Sequence, residues 1–351
     1  MLILCDGFEN YGITSTADPV LLSRWTSSSG WLGVGAGASL GALTVSPRTG
    51  VRALRVIGTG VLYRGLSAAE EHITLTAGMA YAGSPDGVLV LAFGSDTSNT
   101  THITVRISFV SRMITVFRGS ITGTLLATVA IPDAMQAGGW NYVEAKVTLS
   151  STVGVVQVRI NETSVVSLSS ANTRNAGTKT VLDAITYTGT STIAFDDMYI
   201  VNGSGTVNAD FLGDVRVRTL VPSGVGTYAE LTPTGTAINW QNVDEMPPSA
   251  TDFNSSATDN TRDSYALSDL PSTSGTVLGI QIGAFVAKSD TGLKKAATFI
   301  RSGAVDTAGV DQTLSTSFAY IWQNYDINPG TGLAWTPSEI NALEAGIRVR
   351  P

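Results

Sequence analysis

Three pairs of adjacent acidic residues are the first candidates for chemistry in this 351-residue sequence: Glu70-Glu71, Asp196-Asp197 and Asp244-Glu245. Glycoside hydrolysis needs two carboxylates about 5 to 9 Å apart. On a strand, residues i and i+2 share a face, whereas adjacent residues point to opposite faces. Adjacent acids therefore weaken a hydrolase interpretation. Carboxylates from distant strands can still converge, so a depolymerising enzyme stays an alternative.

The pair Asp196-Asp197 lies inside a predicted strand, STIAFDDMYIVNGSG at 191–205. Alternation puts Asp197 on one face with Phe195 and Tyr199, and Asp196 on the other. Unless a bulge intervenes, the two carboxylates cannot bind one ion. We predict a structural role, in which one acid accepts backbone N–H groups or pairs with an arginine near the chain's start. The other acid is expected to face solvent, and a bound cation or catalysis are the alternatives.

Other motifs that carry chemistry lack their context. GASLG at 37–41 matches a nucleophile elbow around Ser39, but no helical pattern follows it, so we predict a glycine-rich loop. His72 and His102 are not at metal-ligand spacing and are interpreted as surface strand residues. The sequence therefore assigns no catalytic residue, no cofactor-binding residue and no metal ligand, and predicts that the protein is not an enzyme.

Calcium is the cofactor that the sequence leaves open. The stretch DFNSSATDNTRD at 252–263 is rich in Asp and Asn, the residue types that supply oxygen ligands. Its spacing does not match an EF-hand loop. We interpret it as a solvated loop, and no cofactor is expected.

The composition favours a β-protein with a polar, weakly charged surface. Charged residues make up 14% and hydrophobic residues 43%, so Ser, Thr, Asn and Gly must supply most of the polar surface. The net charge of −7 argues against nucleic acid as a partner. The sequence contains no run of 18 apolar residues, so membrane insertion is not predicted. The start, MLILCDGFE, lacks the pattern of a signal peptide, so synthesis in a cytoplasm is expected.

Strands of period two must position these residues. In 101–109, Ile103, Val105 and Ile107 share one face and His102 lies on the other, which we interpret as wet. The segments 140–149 and 155–161 alternate in the same way and predict a hairpin with one buried face and one wet face. Further strands are predicted at 51–57, 72–77, 87–93, 114–117, 124–130, 181–188, 192–201, 211–222, 276–288, 295–302 and 313–322. Their spacing predicts antiparallel sandwiches of the all-β class.

Helical periodicity is nearly absent except in TPSEINALEAG at 336–346. Thr336 fits an N-cap, Pro337 the first helical position and Glu339 the partner of a capping box. Gly346 fits the helix stop, and a last strand, IRVR, follows. The polar stretch 222–275 is interpreted as extended loops.

The glycine- and serine-rich segment 202–208 predicts a domain boundary, with domains 1–205 and 206–351. The first resembles the laminin-G and concanavalin-like lectin fold. The carriers are DGFENY (6–11), WNYVEAKVTL (140–149), VGVVQVRIN (153–161) and AFDDMYIVNG (194–203). That resemblance implies a jelly-roll-like β-sandwich closed by a strand with an aspartate pair. The family's sugar- and calcium-binding residues find no matching loop in this chain.

The second domain resembles a module of tailed-bacteriophage virion proteins. The carriers are FLGDVRVRTLVPSG (211–224), NVDEMPP (242–248), DSYALSDLP (263–271) and TGLAWTPSEINALEAGIRV (331–349). The resemblance implies a second β-sandwich and a structural virion protein: a minor tail protein, a fibre-like module or a capsid decoration. Its expected partners are other virion proteins and copies of itself, with a trimer as the expected oligomer. The alternative is a lectin-like module that binds a host-surface glycan.

Overall fold

The computed structural model describes residues 1–11, 31–34, 39–43, 47–57, 60–95, 100–176 and 179–351. The chain divides into two compact units. The first contains Met1–Phe8 and the described residues from 31 to 217. The second contains residues 9–11 and Arg218–Pro351. Residues 206–217, which follow the boundary inferred from composition, therefore belong to the first unit.

The first unit consists of strands. They are β1 (Leu2–Asp6), β2 (Trp31–Val34), β3 (Ser39–Leu43), β4 (Ala53–Ile57), β5 (Gly60–Gly65), β6 (Thr74–Gly83), β7 (Val88–Ser95), β8 (Thr100–Ser108), β9 (Met113–Arg118), β10 (Thr124–Ala130), β11 (Asn141–Thr148), β12 (Gly154–Ile160), β13 (Thr163–Ala171), β14 (Ala184–Thr190) and β15 (Thr192–Asn202).

These strands form two antiparallel sheets. The first has the order β13-β12-β11-β6-β15-β4-β3, with β1 added beside β15, and the second has the order β10-β9-β8-β7-β14-β5-β2. Tyr187 on β14 and Phe195 on β15 meet edge to face with their ring centroids 6.5 Å apart. The inner faces of the two sheets therefore pack against each other as a sandwich.

The second unit contains β16 (Pro222–Ala229), β17 (Thr232–Thr234), β18 (Phe253–Ser255), β19 (Arg262–Leu267), β20 (Ile280–Val286), β21 (Lys295–Ser302), β22 (Val305–Ala308), β23 (Gln312–Thr313), β24 (Ala319–Tyr325), helix α1 (Pro337–Asn341) and β25 (Glu344–Arg350), with 3-10 turns at Glu9–Tyr11 and Asn239–Asn242. A six-stranded antiparallel sheet has the order β16-β19-β25-β21-β22, with β23 beside β21. The pairs β17-β18 and β20-β24 form separate ribbons. The core of the second unit contains a buried hydrophobic cluster of Ile300, Trp335, Ile340 and Leu343.

The all-β class with one short helix near the C-terminus is confirmed. Alternation was a reliable guide where one face is apolar: Ile103, Val105 and Ile107 are fully buried. The capping box is also confirmed, because the Thr336 side chain accepts the Glu339 N–H and the Glu339 carboxylate accepts the Thr336 N–H. None of the described helices is long and apolar enough to cross a bilayer.

Three predictions about segments are wrong. Residues 211–221 form no strand, and the polar stretch 222–275 contains four short strands and a 3-10 turn rather than loops alone. The helix ends at Asn341, and Gly346 lies within β25, where its missing side chain makes room for the Phe299 ring. Composition did not reveal the four strands because they are stabilised by pairing, β16 with β19 and β17 with β18, which residue types alone do not show.

His102 is not on a wet face. It is fully buried, and its Nδ1 accepts the N–H of Asn175 at 3.2 Å. Thr104, two residues along the same face, is also buried and donates to the carbonyl of Gly119 at 2.7 Å. Burial lowers the pKa of His102. Neighbouring chain segments cover this face, which strand alternation cannot show.

Candidate functional site

The two aspartates of β15 lie in a β-bulge. The pairing of β15 with β6 runs to Asp196 opposite Ala80, then shifts and resumes with Tyr199 opposite Gly78. Asp197 has a φ of 48°, a left-handed conformation that is uncommon for residues other than glycine. The bulge interrupts the alternation on which the opposite-faces prediction rested. Asp196 and Asp197 are both fully buried, so the prediction that one faces solvent is wrong.

Asp196 accepts three backbone N–H groups. Its Oδ2 accepts from Arg48 at 2.9 Å and from Thr49 at 3.0 Å, and its Oδ1 accepts from Asp197 at 2.8 Å. Such bonds satisfy a carboxylate that has lost its water. Asp196 therefore holds the main chain of the dipeptide Arg48-Thr49.

Asp197 holds the side chains of the same dipeptide. Its Oδ2 accepts from Arg48 Nη1 and from Thr49 Oγ1, each at 2.8 Å. Its Oδ1 accepts the N–H of Val217 at 2.8 Å. We call Asp196, Asp197, Arg48 and Thr49 the aspartate clamp. The clamp contains the pairing with an arginine that the sequence predicted as one of two roles for these acids.

Arg48 carries the clamp outward from the bulge. Its side chain is 7% exposed, and its Nη1 also donates to the carbonyl of Val215 at 3.0 Å. Its Nη2 forms an ion pair with Asp214. The guanidinium lies 5.0 Å from the ring centroid of Tyr142, whose hydroxyl donates to the Asp197 carbonyl at 3.0 Å. One cation thus joins the closing strand, strand β11 and the chain that follows β15.

Residues 210–217, which we call the docked segment, lie on β11, β12 and β15. The Gly213 N–H donates to Glu144 Oε1 at 2.9 Å, and the Leu212 N–H donates to the Tyr199 hydroxyl at 3.1 Å. The Arg159 guanidinium lies 4.0 Å from the ring centroid of Phe211. The docked segment therefore covers the face of β11 that carries Tyr142 and Glu144. That face was predicted to be wet, and both residues are buried.

Burial dominates the electrostatics of this region. It raises the pKa of Asp196 to about 7, with the neighbouring charge of Asp197 as the second cause. Burial also raises the pKa of Glu144, against the hydrogen bonds from Tyr199 and Gly213. Tyr199 donates to Glu144 Oε1 at 2.5 Å. No carboxylate of the group reaches solvent, so a substrate cannot contact them without displacing Arg48-Thr49 or the docked segment.

The remaining candidate residues are not brought together. Glu70 pairs with Arg64 at 3.1 Å, and Glu71 pairs with Lys179 at 3.1 Å. Ser39 begins strand β3, so the predicted glycine-rich loop is wrong for residues 39–41. Gly37 and Ala38 of the motif lie outside the described residues. His72 is half-buried and forms an isolated bridge with Leu182.

No metal-binding group is formed within the described ranges, which include all of 252–263: no three His, Cys, Asp or Glu side chains are arranged to hold an ion. The 252–263 stretch instead contributes β18 and the start of β19. Asn254 donates to the Tyr265 hydroxyl at 2.9 Å there. Calcium as a cofactor stays untested by this geometry.

Sequence reasoning missed Arg48, Thr49, Glu144 and the docked segment. Arg48 is one of many basic residues, and nothing in its neighbourhood marks a partner that lies 149 positions away. The docked segment binds largely through main-chain N–H groups, which every residue except proline carries. Glu144 did give a signal, since it shares a strand face with Tyr142 two positions away, and an acid beside an aromatic ring is costly to bury without partners.

No protein-family model and no curated protein matches this chain. Parts of it are similar to solved structures. The carbohydrate-binding module CBM66 from Bacillus subtilis is 10% identical, with 50% of this chain and 98% of that chain covered and a TM-score of 0.34. A Bacillus subtilis protein of unknown function with a galectin-like fold is 10% identical over 57% and 95%, with a TM-score of 0.38.

A carbohydrate esterase from the Shiga toxin-encoding bacteriophage phi24B is 13% identical, with 50% of this chain and 91% of that chain covered and a TM-score of 0.32. By their descriptions, one of these three structures is a carbohydrate-binding module and one has a galectin-like fold. With identities this low and TM-scores below 0.5, they decide nothing about the function of this chain.

Proposed function

We propose that this chain is a non-enzymatic structural component of a tailed-phage virion, a compact module that acts in assembly on the tail or particle surface. The observation that carries the proposal is the docked segment. It is the start of FLGDVRVRTLVPSG, one of the motifs that resemble phage virion proteins, and its residues contact the buried clamp. The motif therefore has an anchoring role.

The use of the acidic residues supports a structural role. Asp196, Asp197 and Glu144 are fully buried, and each of them accepts hydrogen bonds that hold another part of the chain. A hydrolytic pair needs a cleft in which a substrate lies between its carboxylates. These three acids instead fix chain segments to a β-sandwich, which is what a building block requires.

The proposal is tested on particles. Purified virions of a phage whose genome encodes this chain should contain it at a fixed copy number relative to their major capsid protein. Quantitative mass spectrometry measures this copy number. A matched comparison uses Asp197→Asn, which breaks the clamp, against Asp86→Asn, an exposed acid of the same sandwich. We expect the first to lower incorporation and the second to leave it unchanged. Particles free of the wild-type chain would overturn the proposal.

We also propose that the chain acts as a homo-oligomer, with a trimer as the expected state. Light scattering of the purified chain measures its mass directly. A monomer at every concentration up to that reached in particle assembly would contradict this part and leave virion incorporation as a separate result.

A further inference from the structure

Strand register collects basic side chains on one face of the six-stranded sheet. Arg348 on β25 lies opposite Arg262 on β19, and Arg350 lies opposite Lys295 on β21. Residues i and i+2 of a strand share a face, so Arg348 and Arg350 project together. Four cations thus share one face in a chain whose net charge is −7.

Part of this face is neutralised by carboxylates. Arg262 and Arg301 both bond to Asp306, at 2.8 and 2.7 Å, and the Arg262 guanidinium lies 3.5 Å from the ring centroid of Tyr228. Both arginines are therefore occupied. The larger excess of positive charge lies at the other end of the face, on Arg348, Arg350 and Lys295.

At that end, two guanidinium groups share one neutral acceptor. Arg348 Nη2 and Arg350 Nη1 each donate to Asn260 Oδ1 at 3.1 Å. The Asn260 N–H donates to the Val349 carbonyl at 2.9 Å, so the main chain fixes Asn260 in place. An uncharged oxygen stands where a carboxylate would be expected between two cations.

The carboxylates near this end do not balance the cations. Asp311 accepts from Arg350 Nε at 2.8 Å. No other carboxylate of the described residues lies within ion-pair distance of Arg350, and none does for Arg348 or Lys295. Arg348 Nε is buried and has no hydrogen-bond partner among the residues that the structure describes. Counted over these side chains alone, three cations and one carboxylate leave an excess charge of +2.

We propose that Arg348, Arg350 and Lys295 form a binding site for an oxyanion, a sulfate or carboxylate group of an acidic polysaccharide. Guanidinium groups present planar donor pairs that match such anions. A polysaccharide fits better than nucleic acid because single-stranded nucleic acids are bound largely by stacking their bases on open aromatic rings. The adjacent Tyr228 ring, which could stack a base, is covered by Arg262. The site does not depend on the proposed virion role, and it is tested on the purified chain.

The sharpest test is Asn260→Asp, which places a carboxylate between the two guanidinium groups without removing either. Binding to immobilised dextran sulfate is measured at fixed ionic strength beside neutral dextran. We expect the wild type to bind dextran sulfate only, and Asn260→Asp to weaken binding at least about tenfold. Asn172→Asp, at an exposed residue of the first unit, adds the same charge and should leave binding nearly unchanged.

Arginine removal gives the second comparison. Arg348→Gln should weaken binding to a similar extent, whereas Arg112→Gln, at an arginine of the first unit that is 47% exposed, should not. Arg348→Lys keeps the charge and should keep part of the affinity, and protection of the Val349 amide from hydrogen exchange reports that β25 is intact. Three results overturn the proposal: no binding by the wild type, equal weakening by all charge changes, or equally tight binding of a DNA oligonucleotide.

Discussion

Each unit of the molecule holds a distant part of the chain with a fully buried aspartate on a strand. In the first unit Asp197 accepts from Arg48, Thr49 and Val217. In the second unit Asp263 on β19 accepts the N–H groups of Glu230 and Leu231 at 2.7 and 2.9 Å. Both carboxylates replace lost water with several hydrogen bonds, which is the condition for burying them.

The two aspartates differ in how their charge is balanced. Asp197 faces the guanidinium of Arg48, itself almost buried, and the more exposed Arg216 lies with its Nε 4.0 Å from Asp197 Oδ2. Asp263 accepts its remaining bonds from Asn239 Nδ2 at 2.6 Å and the Tyr265 hydroxyl at 3.0 Å, and no cation of the described residues lies within ion-pair distance. A buried acid can thus be held by cations or by neutral dipoles alone. The two solutions should respond differently when the acid loses its charge.

The largest effect is expected for Asp197→Asn. The substitution replaces the buried carboxylate that faces Arg48 with a neutral amide and leaves Asp214 as the charged partner of the guanidinium. Breaking a buried pair in this way costs about 3–5 kcal/mol. Urea denaturation of the first unit, followed by circular dichroism, measures the loss in the free energy of unfolding. Asp214→Asn removes the exposed partner of the same arginine and should cost less than about 1 kcal/mol. Equal losses for the two variants would show that burial does not set the strength of the pairing.

A second difference between the units concerns how stability depends on pH, and in the first unit this dependence rests on Asp196. Its folded-state pKa of about 7 lies above the ordinary 3.8, so the folded chain binds this proton more tightly than the unfolded chain. The stabilisation is fully present below about pH 3.8 and is lost as the pH rises through about 7.

The Asp196→Asn variant has no titratable side chain at position 196. Between pH 4 and 7 its free energy of unfolding should therefore fall less steeply than that of the wild type, and hydrogen exchange at the Thr49 amide should report the same difference locally. Asp86→Asn is the matched control and should keep the wild-type slope in this range. A wild-type slope in Asp196→Asn would mean that Asp196 stays ionised when buried.

Asp263→Asn should be milder than Asp197→Asn. Asparagine keeps one oxygen for the N–H groups of Glu230 and Leu231, and no cation is left without a partner, so we expect a loss of about 1–2 kcal/mol. Urea denaturation followed by Trp fluorescence measures it, with Asp259→Asn as the exposed control. A loss as large as that of Asp197→Asn would contradict the distinction between ionic and dipolar partners.

The sequence predicted these regions unevenly, for physical reasons. Period-two patterns located β8 and β12 because one face of each is apolar. The same patterns failed at Asp196 and Asp197, since a bulge moves one residue without changing the composition. They failed again on β11, where the docked segment covers the face with Tyr142 and Glu144.

Partners that are distant in the chain were beyond the sequence. Asp263 was part of a recognised motif, yet its bonds go to main-chain donors at Glu230 and Leu231 that no side chain announces. The pairing of Asp197 with Arg48 was anticipated as a type of contact but not as a residue. The capping box at Thr336 was found in full because its two partners lie three positions apart.

That capping box provides the smallest and most local test of the comparison. Glu339, like Asp263, accepts from neutral donors: the Thr336 N–H at 2.8 Å and Asn328 Nδ2 at 2.9 Å. These bonds, the Thr336 N–H foremost, lower the pKa of Glu339, so its stabilisation is present at neutral pH and lost as the pH falls through the folded-state pKa. Glu339→Gln should therefore cost less stability than Asp263→Asn. It should also abolish the loss of stability that Glu339 causes as the pH falls, a pH dependence opposite in sign to that of Asp196. Thr336→Ala removes the hydroxyl that accepts the Glu339 N–H and should cost about 0.5–1 kcal/mol. It should not reverse the pH dependence that Glu339 causes. Hydrogen exchange at the Glu339 and Ile340 amides between pH 3 and 7 measures both variants, and a loss from Glu339→Gln equal to that of Asp263→Asn would show that burial adds nothing when the donors are neutral.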